Sequence, residues 1–195
     1  MTRQRRHGRV VVLSSPSGGG KTTVVERVRQ TIPRLFRSVS VTTRTPRPGE
    51  RHGRDYRFVS PQTFQQLRHS GQLLEWAKVH TAFYGTLKQP VLRALANGQD
   101  VILNIDVQGA RKVRRTLGRR AVLVFLLPPS MPDLRQRLMR RRTDTPAAIR
   151  RRLAAAKREI ACARWYDYAV VNDRLPQTIA RVKAIIQGTS EQRKG

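Results

Sequence analysis

The apolar residues of this chain gather in four short runs, and a segment of helical periodicity follows each run. The runs lie at 9–14, 101–105, 121–127 and 168–171. They are continuous rather than alternating, which is typical of strands buried on both faces of a parallel sheet. Because strands and helices alternate along the chain, we predict an α/β fold with about five parallel strands flanked by helices.

The stretch 38–88 breaks this rhythm. Its segments are short and alternate between apolar and polar positions, as at 55–59, and proline and glycine separate them. Such a pattern predicts a lobe of mixed, partly antiparallel strands that is inserted into the core. The core itself would then consist of 9–37 and 89–187.

The remaining segments are short. Residues 1–8 are rich in arginine and predict a disordered basic arm, whereas 188–195 predict a C-terminal tail. A second insertion at about 139–147 separates two helical patterns and predicts a small arginine-rich lid. No apolar run approaches the ~20 residues of a membrane span. The longest run, 121–127, ends at a pair of prolines.

The charge of the chain is strongly positive. Forty Lys and Arg residues stand against 12 Asp and Glu residues, which gives a formal net charge of +28 over 195 residues. Such a surface attracts nucleic acids and nucleotides alike through its long-range field. Composition therefore leaves two interpretations open, a nucleic-acid binder and an enzyme that handles phosphate.

Cysteine usage bears on the compartment. Cys162 is the single cysteine, so no intramolecular disulfide can form, and this favours a reducing cytoplasm. The N-terminal residues lack the apolar stretch of a secretory signal. Cys162 lies in an alanine-rich helical pattern, where we expect a small buried side chain rather than a reactive thiol.

The sequence SPSGGGKTT at 15–23 lies between the first apolar run and the first helical segment. This is the context of a phosphate-binding loop, whose glycines let backbone N–H groups point at phosphate oxygens. Lys21 would reach the terminal phosphates, and Thr22 would bind Mg²⁺. The predicted phosphate contacts are Ser17, Gly18, Gly19, Gly20, Lys21, Thr22 and Thr23. Such a loop indicates binding of a nucleoside triphosphate, but kinases, ATPases and GTPases share it.

Several further motifs carry a resemblance that names the acceptor. They are SVSVTTRTPRPGE at 38–50, HG at 52–53, DY at 55–56, LEWA at 74–77, YGT at 84–86, IDVQG at 105–109 and VND at 171–173. In this order they resemble the signature of guanylate kinases over about 9–187, nearly the whole chain. The resemblance implies a P-loop NTPase core with a GMP-binding lobe and a lid, and ATP-dependent phosphorylation of GMP with Mg²⁺.

The resemblance also implies an acceptor site. Its residues would be Ser40, Arg44, Arg47, Tyr56 and Tyr84 for the GMP phosphate, and Glu75, Thr86 and Asp106 for the base. Arginine forks and hydroxyl donors suit a dianionic phosphate. One carboxylate can accept both N1–H and N2–H of guanine, whereas adenine presents a lone pair at N1. Judged alone, Glu75 would be an ordinary exposed acid, and Arg44 and Arg47 would lie in a solvated turn.

On the donor side the resemblance implies cations that close over the phosphates. The matching residues are Lys21, Arg137, Arg141 and Arg152, although a solvated face is the alternative for part of such a charge run. Thr22 would bind Mg²⁺ directly, and Asp106 would act through water or cap the following helix. Phosphoryl transfer needs positioned cations more than covalent chemistry.

The chain departs from the family pattern in a few places. Ser15 replaces the first glycine of the loop, and Arg140 and Arg142 stand where the family usually has glycine. Asn104 stands where the family usually has an acid, and we expect it to weaken Mg²⁺ binding and to slow turnover.

Alternatives to a GMP kinase remain open in the sequence. One is a catalytically weak guanylate-kinase-like binding module with affinity for polyanions. Another is a nucleic-acid binder that uses the fold as a scaffold, and a third is a kinase for a different monophosphate, against which Glu75 argues. We expect ATP and GMP as partners, a monomer or homodimer, incidental polyanion binding and no membrane association.

Overall fold

The computed structural model describes residues 8–79, 81–140 and 145–189. The strands are, in chain order, β1 (Val10–Ser14), β2 (Phe36–Arg37), β3 (Val41–Thr42), β4 (Arg57–Phe58), β5 (Leu73–Val79), β6 (Ala82–Leu87), β7 (Val101–Asn104), β8 (Ala121–Leu127) and β9 (Tyr168–Val171). The helices are α1 (Lys21–Thr31), α2 (Pro61–His69), α3 (Lys88–Ala96), α4 (Val107–Leu117), α5 (Met131–Met139), α6 (Pro146–Ala161) and α7 (Leu175–Gln187).

Five strands form the first sheet, in the order β2-β7-β1-β8-β9. β2 runs parallel to β7, and β8 runs parallel to β9. The apolar side chains of β1 are fully buried, and β8 is buried along all but its last residue. Continuous apolar runs are therefore the strands of a parallel sheet that helices flank, as the sequence predicted. The α/β prediction is confirmed.

Four strands form a second, mixed sheet in the order β4-β3-β6-β5. β3 pairs parallel with β4 and antiparallel with β6, and β5 pairs antiparallel with β6. The β5–β6 register brings Glu75 opposite Thr86 and Ala77 opposite Tyr84. Residues that are opposite in this register are neighbours on the same face of the sheet, so the fold makes Glu75 and Thr86 a cross-strand pair.

The chain folds into two compact units. The first consists of the described residues up to Val10, together with Arg34–Leu103 and Gln108–Ala121. The second consists of Val11–Pro33, Asn104–Val107 and the described residues from Val122 onward. Each unit is therefore built from segments that are separated in the sequence.

In the second unit, α5 and α6 begin at well-formed caps. The Ser130 hydroxyl accepts from the amide of Asp133, and the Thr145 hydroxyl accepts from the amide of Ala148. Each helix has a proline in its first turn, which tolerates the missing N–H. Leu134, Leu138 and Ala156 form a buried cluster in which the two helices pack together.

Several predictions concern segments at the edges of the described residues. The predicted basic arm lies outside them except for Gly8, as does most of the predicted tail and the centre of the predicted lid, 141–144. Cys162 begins a short 3₁₀ helix after α6 and is half-buried, so the expectation of a buried side chain was wrong. No helix in the described part of the chain is long and apolar enough to cross a membrane.

Candidate active site

The glycines of the phosphate-binding loop are required by its shape. Gly18 and Gly20 have φ values of 88° and 84°, in the left-handed region that favours glycine. At Gly19 a Cβ would lie 2.8 Å from Cβ of Ser15, and at Gly20 it would lie 2.5 Å from Nδ2 of Asn172. A side chain at either position would force its neighbour to move. The loop therefore curls tightly with an uncluttered backbone, as an anion cradle needs.

Ser15 fits this turn without disturbing it. Its side chain is buried, and its hydroxyl donates to the carbonyl of Pro16 at 3.1 Å. The amide of Gly19 donates to the same carbonyl at 2.9 Å. Gly19 has no Cβ, and this leaves room for the side chain of Ser15. The replacement of the first motif glycine is thereby explained.

Lys21 and Ser14 converge on one acceptor at the end of β7. Lys21 Nζ and Ser14 Oγ each donate to the carbonyl oxygen of Ile105 at 2.9 Å. Lys21 begins α1, so its ammonium group and the N-terminus of the helix contribute positive charge to the same loop.

Residues suited to a metal ion lie next to this lysine in sequence or in space. Thr22 is exposed in the first turn of α1, and Asn104 Nδ2 lies 3.4 Å from its hydroxyl oxygen. Asp106 is half-buried, in the same unit, immediately before α4. No group of three or more His, Cys, Asp or Glu side chains forms a metal cluster in the ranges that the structure describes.

Glu159 is an acid near the loop that the sequence did not single out. Burial raises the pKa of its carboxyl, while the charge of Lys21 and the backbone amide of Ser17 oppose the rise. An acid on α6 carries no local signal that it will approach a loop more than a hundred residues earlier, so periodicity could not have identified it.

Two of the three predicted donor arginines lie on α5 and α6. Arg137 is half-buried, and its guanidinium donates to the backbone carbonyl of Asn172 at 3.0 Å. Arg152 is half-buried on α6. Arg141 lies outside the described residues.

In the first unit, the Arg44 side chain donates hydrogen bonds to three partners. Its Nε donates to the hydroxyl of Tyr84 at 3.2 Å, and one terminal nitrogen donates to the carbonyl of Thr45 at 2.7 Å. The other terminal nitrogen lies 2.8 and 2.9 Å from the two carboxylate oxygens of Glu50. The guanidinium also lies over the ring of Tyr56, 5.4 Å from its centroid. Arg44 is therefore preorganised, not a freely moving cation of a solvated turn.

Glu50 is the partner that the sequence did not assign. Its carboxylate accepts from the Arg44 side chain and, at 2.8 Å, from the backbone amide of Arg47. Partial burial alone would raise the pKa of Glu50, but the hydrogen bonds from Arg44 and Arg47 outweigh it and lower the pKa. The Arg47 side chain is exposed. Burial raises the pKa of the neighbouring Tyr56 hydroxyl, which therefore remains a donor at neutral pH.

Glu75 is buried, which overturns its interpretation as an ordinary exposed acid. Only 4% of its surface is exposed, and Thr86 Oγ1 donates to its Oε1 at 2.7 Å. Ser40 is buried in the same unit. A buried carboxylate is costly unless donors face it, so its presence on a chain with few acids indicates a specific use.

The structure thus groups the predicted site residues into two sets. Ser40, Arg44, Arg47, Tyr56, Glu75, Tyr84 and Thr86 belong to the first unit. The phosphate-loop residues 17–23, Asp106, Arg137 and Arg152 belong to the second. Asp106, which the resemblance linked to the base, is thus in the unit that holds the phosphate loop.

In this chain a glycine-rich turn connects a strand of the parallel sheet to a helix that begins with Lys and Thr. This arrangement defines a P-loop NTPase core. The guanylate kinase family model matches residues 7–189. The chain belongs to the guanylate kinase family. This membership confirms the predicted enzyme, which phosphorylates GMP at the expense of ATP, and does not favour the binding module.

Individual relatives agree with this assignment. The chain is 49% identical to a guanylate kinase of Mycolicibacterium paratuberculosis over 95% of its own length and 84% of the relative. It is also 49% identical to a guanylate kinase of Oleidesulfovibrio alaskensis over 92% and 86%. The crystal structure of guanylate kinase from Anaplasma phagocytophilum matches with a TM-score of 0.81 and 34% identity, covering 96% of this chain and 89% of that one.

Proposed function

We propose that the first unit binds GMP and reads its base through Glu75, while the second unit binds the phosphates of ATP. The observation that carries the proposal is the buried Glu75 carboxylate beside Thr86 in the mixed sheet. Residues 38–88 would form the GMP lobe and 139–147 the lid. The wrong base would fail to supply the two donors that guanine offers to this buried carboxylate, and a site of this kind discriminates strongly.

Recognition of the GMP phosphate would rest on Arg44, Arg47, Ser40, Tyr56 and Tyr84. Arg44 supports this role because three partners fix the plane of its guanidinium before any ligand arrives. A fixed arginine fork loses little conformational entropy on binding a phosphate. Glu50 would set the direction of that fork.

Transfer of the phosphate needs the attacking GMP oxygen in line with the terminal phosphate of ATP and cations on the developing charge. Backbone N–H groups of 17–23 and the Lys21 ammonium group would hold the donor phosphates. Arg137, Arg141 and Arg152 would neutralise charge that develops on the transferred group and exclude water.

Mg²⁺ would be held by Thr22, with Asp106 acting through water. These residues fit a metal that arrives with ATP, since Thr22 is exposed in the first turn of the helix that follows the loop. Mg²⁺ usually keeps several waters and takes one or two protein ligands plus phosphate oxygens. When bound, it would neutralise charge on the ATP phosphates.

Three further expectations from the sequence also stay proposals. The single cysteine supports a reducing cytoplasm. The charge of +28 supports an incidental affinity for polyanions, in addition to catalysis. A monomer and a homodimer both remain compatible with the sequence.

A coupled assay of ADP release tests the function. ATP and Mg²⁺ are supplied with GMP, dGMP, AMP, CMP or UMP in turn. We expect turnover with GMP and dGMP, and a kcat/KM for AMP that is lower by about 10⁴, because adenine lacks the N1–H donor of guanine and would turn the N1 lone pair toward Glu75. Comparable turnover with AMP would refute the assignment of Glu75 as the base reader.

Asn104→Asp should lower the Mg²⁺ concentration that gives half-maximal activity by roughly tenfold, because a carboxylate beside the metal's bound water orients that water better than an amide does. Asn104 is suited to this test because its side-chain nitrogen lies 3.4 Å from the hydroxyl oxygen of Thr22. Activity is measured across a Mg²⁺ titration at saturating ATP and GMP. Asn97→Asp, an exposed residue that follows α3, is the control. An unchanged Mg²⁺ profile would contradict the role of Asn104.

A further inference from the structure

Asn172, the first residue after β9, joins two parts of the second unit that are far apart in sequence. Its side-chain Nδ2 donates to the backbone carbonyl of Gly19 at 2.8 Å, across 153 residues. Its own amide donates to the carbonyl of Leu127 at 2.8 Å, which fixes it to the end of β8. Its carbonyl oxygen accepts from the guanidinium of Arg137 at 3.0 Å. The residue is buried, with 6% of its surface exposed.

The contact with the phosphate loop is close as well as polar. Nδ2 of Asn172 lies only 2.5 Å from the point where a Cβ on Gly20 would stand. The amide group therefore rests directly on the backbone of two successive loop residues, Gly19 and Gly20. Position 20 favours glycine for two reasons, its φ of 84° and the close approach of the Asn172 amide. The conformation of the turn and the position of Asn172 therefore depend on each other.

The hydrogen bond to Gly19 has a consequence for anion binding. A trans peptide is planar, so the carbonyl of one residue and the N–H of the next point in opposite directions. The described chain contains no cis peptide bond. By fixing the Gly19 carbonyl, Asn172 directs the N–H of Gly20 away from itself. That N–H is one of the donors proposed for the ATP phosphates.

We propose that Asn172 is a positioning residue that aligns the phosphate loop and Arg137 as one donor site. Its side chain sets the orientation of the Gly19–Gly20 peptide, and its backbone carbonyl restrains the guanidinium of Arg137. The proposal rests on the proposed binding of ATP phosphates by this loop.

The variant that removes the contact is Asn172→Ala. Its KM for ATP should rise by about tenfold or more, because a buried hydrogen bond that orients a binding group is lost. Its KM for GMP should stay within about twofold of that of the unchanged enzyme. The Kd for ATP, measured by calorimetry without GMP, should rise in parallel. Asn172→Asp keeps the shape but turns a carboxylate oxygen toward the Gly19 carbonyl, so its KM for ATP should rise further.

Thr178→Val is the matched control for a merely structural role. Thr178 is 2% exposed, and its hydroxyl donates to the carbonyls of Val171 and Arg174 at 3.5 and 3.2 Å. Its loss should lower the melting temperature by an amount similar to Asn172→Ala, but it should leave the KM for ATP unchanged. Melting curves of each variant identify those that fail to fold, and the isosteric Asn172→Asp then carries the test.

The outcomes separate this proposal from the function on which it rests. An unchanged enzyme without turnover on GMP would overturn the function itself. An active enzyme whose Asn172→Ala variant has the same KM and Kd for ATP as Thr178→Val would overturn the positioning role alone. Equal losses of affinity for ATP and GMP would likewise refute it, because they would indicate general destabilisation.

Discussion

Replacing Glu75 with glutamine should reduce kcat/KM for GMP by about 10³ and raise kcat/KM for AMP, so that the preference for GMP largely disappears. The carboxylate can accept from N1–H and N2–H of guanine together. The glutamine amide accepts through one oxygen only, and its NH₂ group would oppose a guanine donor. The same NH₂ group could donate to N1 of adenine, which is why AMP should gain.

The surroundings of Glu75 make this effect large. The residue is 4% exposed, and Thr86 Oγ1 already donates to its Oε1, so water cannot readily replace a lost partner. An unpaired polar group at such a site costs its full desolvation. The opposing strand β6 fixes Thr86 opposite Glu75, so the glutamine cannot move to a new partner without disturbing the sheet.

The measurement is kcat/KM for GMP and for AMP in the Glu75→Gln variant, with the melting temperature as a check on folding. Glu26→Gln, on the half-exposed face of α1, removes a negative charge from the other unit and should change neither value. If the ratio of the two kcat/KM values stays as in the unchanged enzyme, the base is read by other residues.

The architecture could be predicted because the apolar runs are local signals. β1 and β8 are buried on both faces, and only continuous apolar sequence can meet that condition. The loop glycines could likewise be predicted, because a strand, a Gly-rich turn and a helix beginning with Lys21 are consecutive in the chain. The resemblance then supplied Glu75 and Arg44. The pairing of Glu75 with Thr86 follows from a sheet register that the sequence does not contain.

What the sequence could not show are contacts between distant residues. Asn172 lies on a motif that the resemblance included, yet nothing local indicates that its amide reaches Gly19. Glu159 approaches the surroundings of Lys21 only because α6 packs in the same unit. Cys162 was expected to be buried because its neighbours are alanines, but the chain leaves the regular helix just before it. Periodicity describes faces of elements, whereas these details depend on how the elements meet.

Arg44→Ala should raise KM for GMP by about 10² or more, and adding Glu50→Gln should restore part of the loss. Removal of the arginine deletes a phosphate donor and also leaves the Glu50 carboxylate without the cation that neutralises it. That carboxylate would then oppose the approach of a dianion. Because the second substitution removes the uncompensated charge, the double variant should bind GMP better than Arg44→Ala alone.

Glu50→Gln by itself should raise KM for GMP by only about tenfold, because Arg44 keeps its bonds to Tyr84 and Thr45 and loses only part of its orientation. The ion pair is fully formed in a neutral assay. The pKa of Glu50 is lowered in the fold, so the stabilisation from the pair is complete above the unfolded pKa of about 4.3 and is lost as the pH falls through the lower folded value. Ordinary assay pH therefore does not disturb the comparison.

A thermodynamic cycle closes on four values of the Kd for GMP, those of the unchanged enzyme, the two single variants and the double variant. The Kd is measured beside KM, because KM equals Kd only when chemistry is slow relative to dissociation. We expect an interaction free energy of about 2–3 kcal/mol with the sign of a restored affinity, within the range of residues in direct contact. It must exceed the ~1.4 kcal/mol of the tenfold effect of Glu50→Gln if the double variant is to bind GMP better than Arg44→Ala. Strict additivity would mean that Glu50 acts independently of Arg44, although the two are in hydrogen-bonding contact. In that case the carboxylate would only shape the 44–50 turn through the amide of Arg47, and Arg44 would owe its orientation to Tyr84 and Thr45.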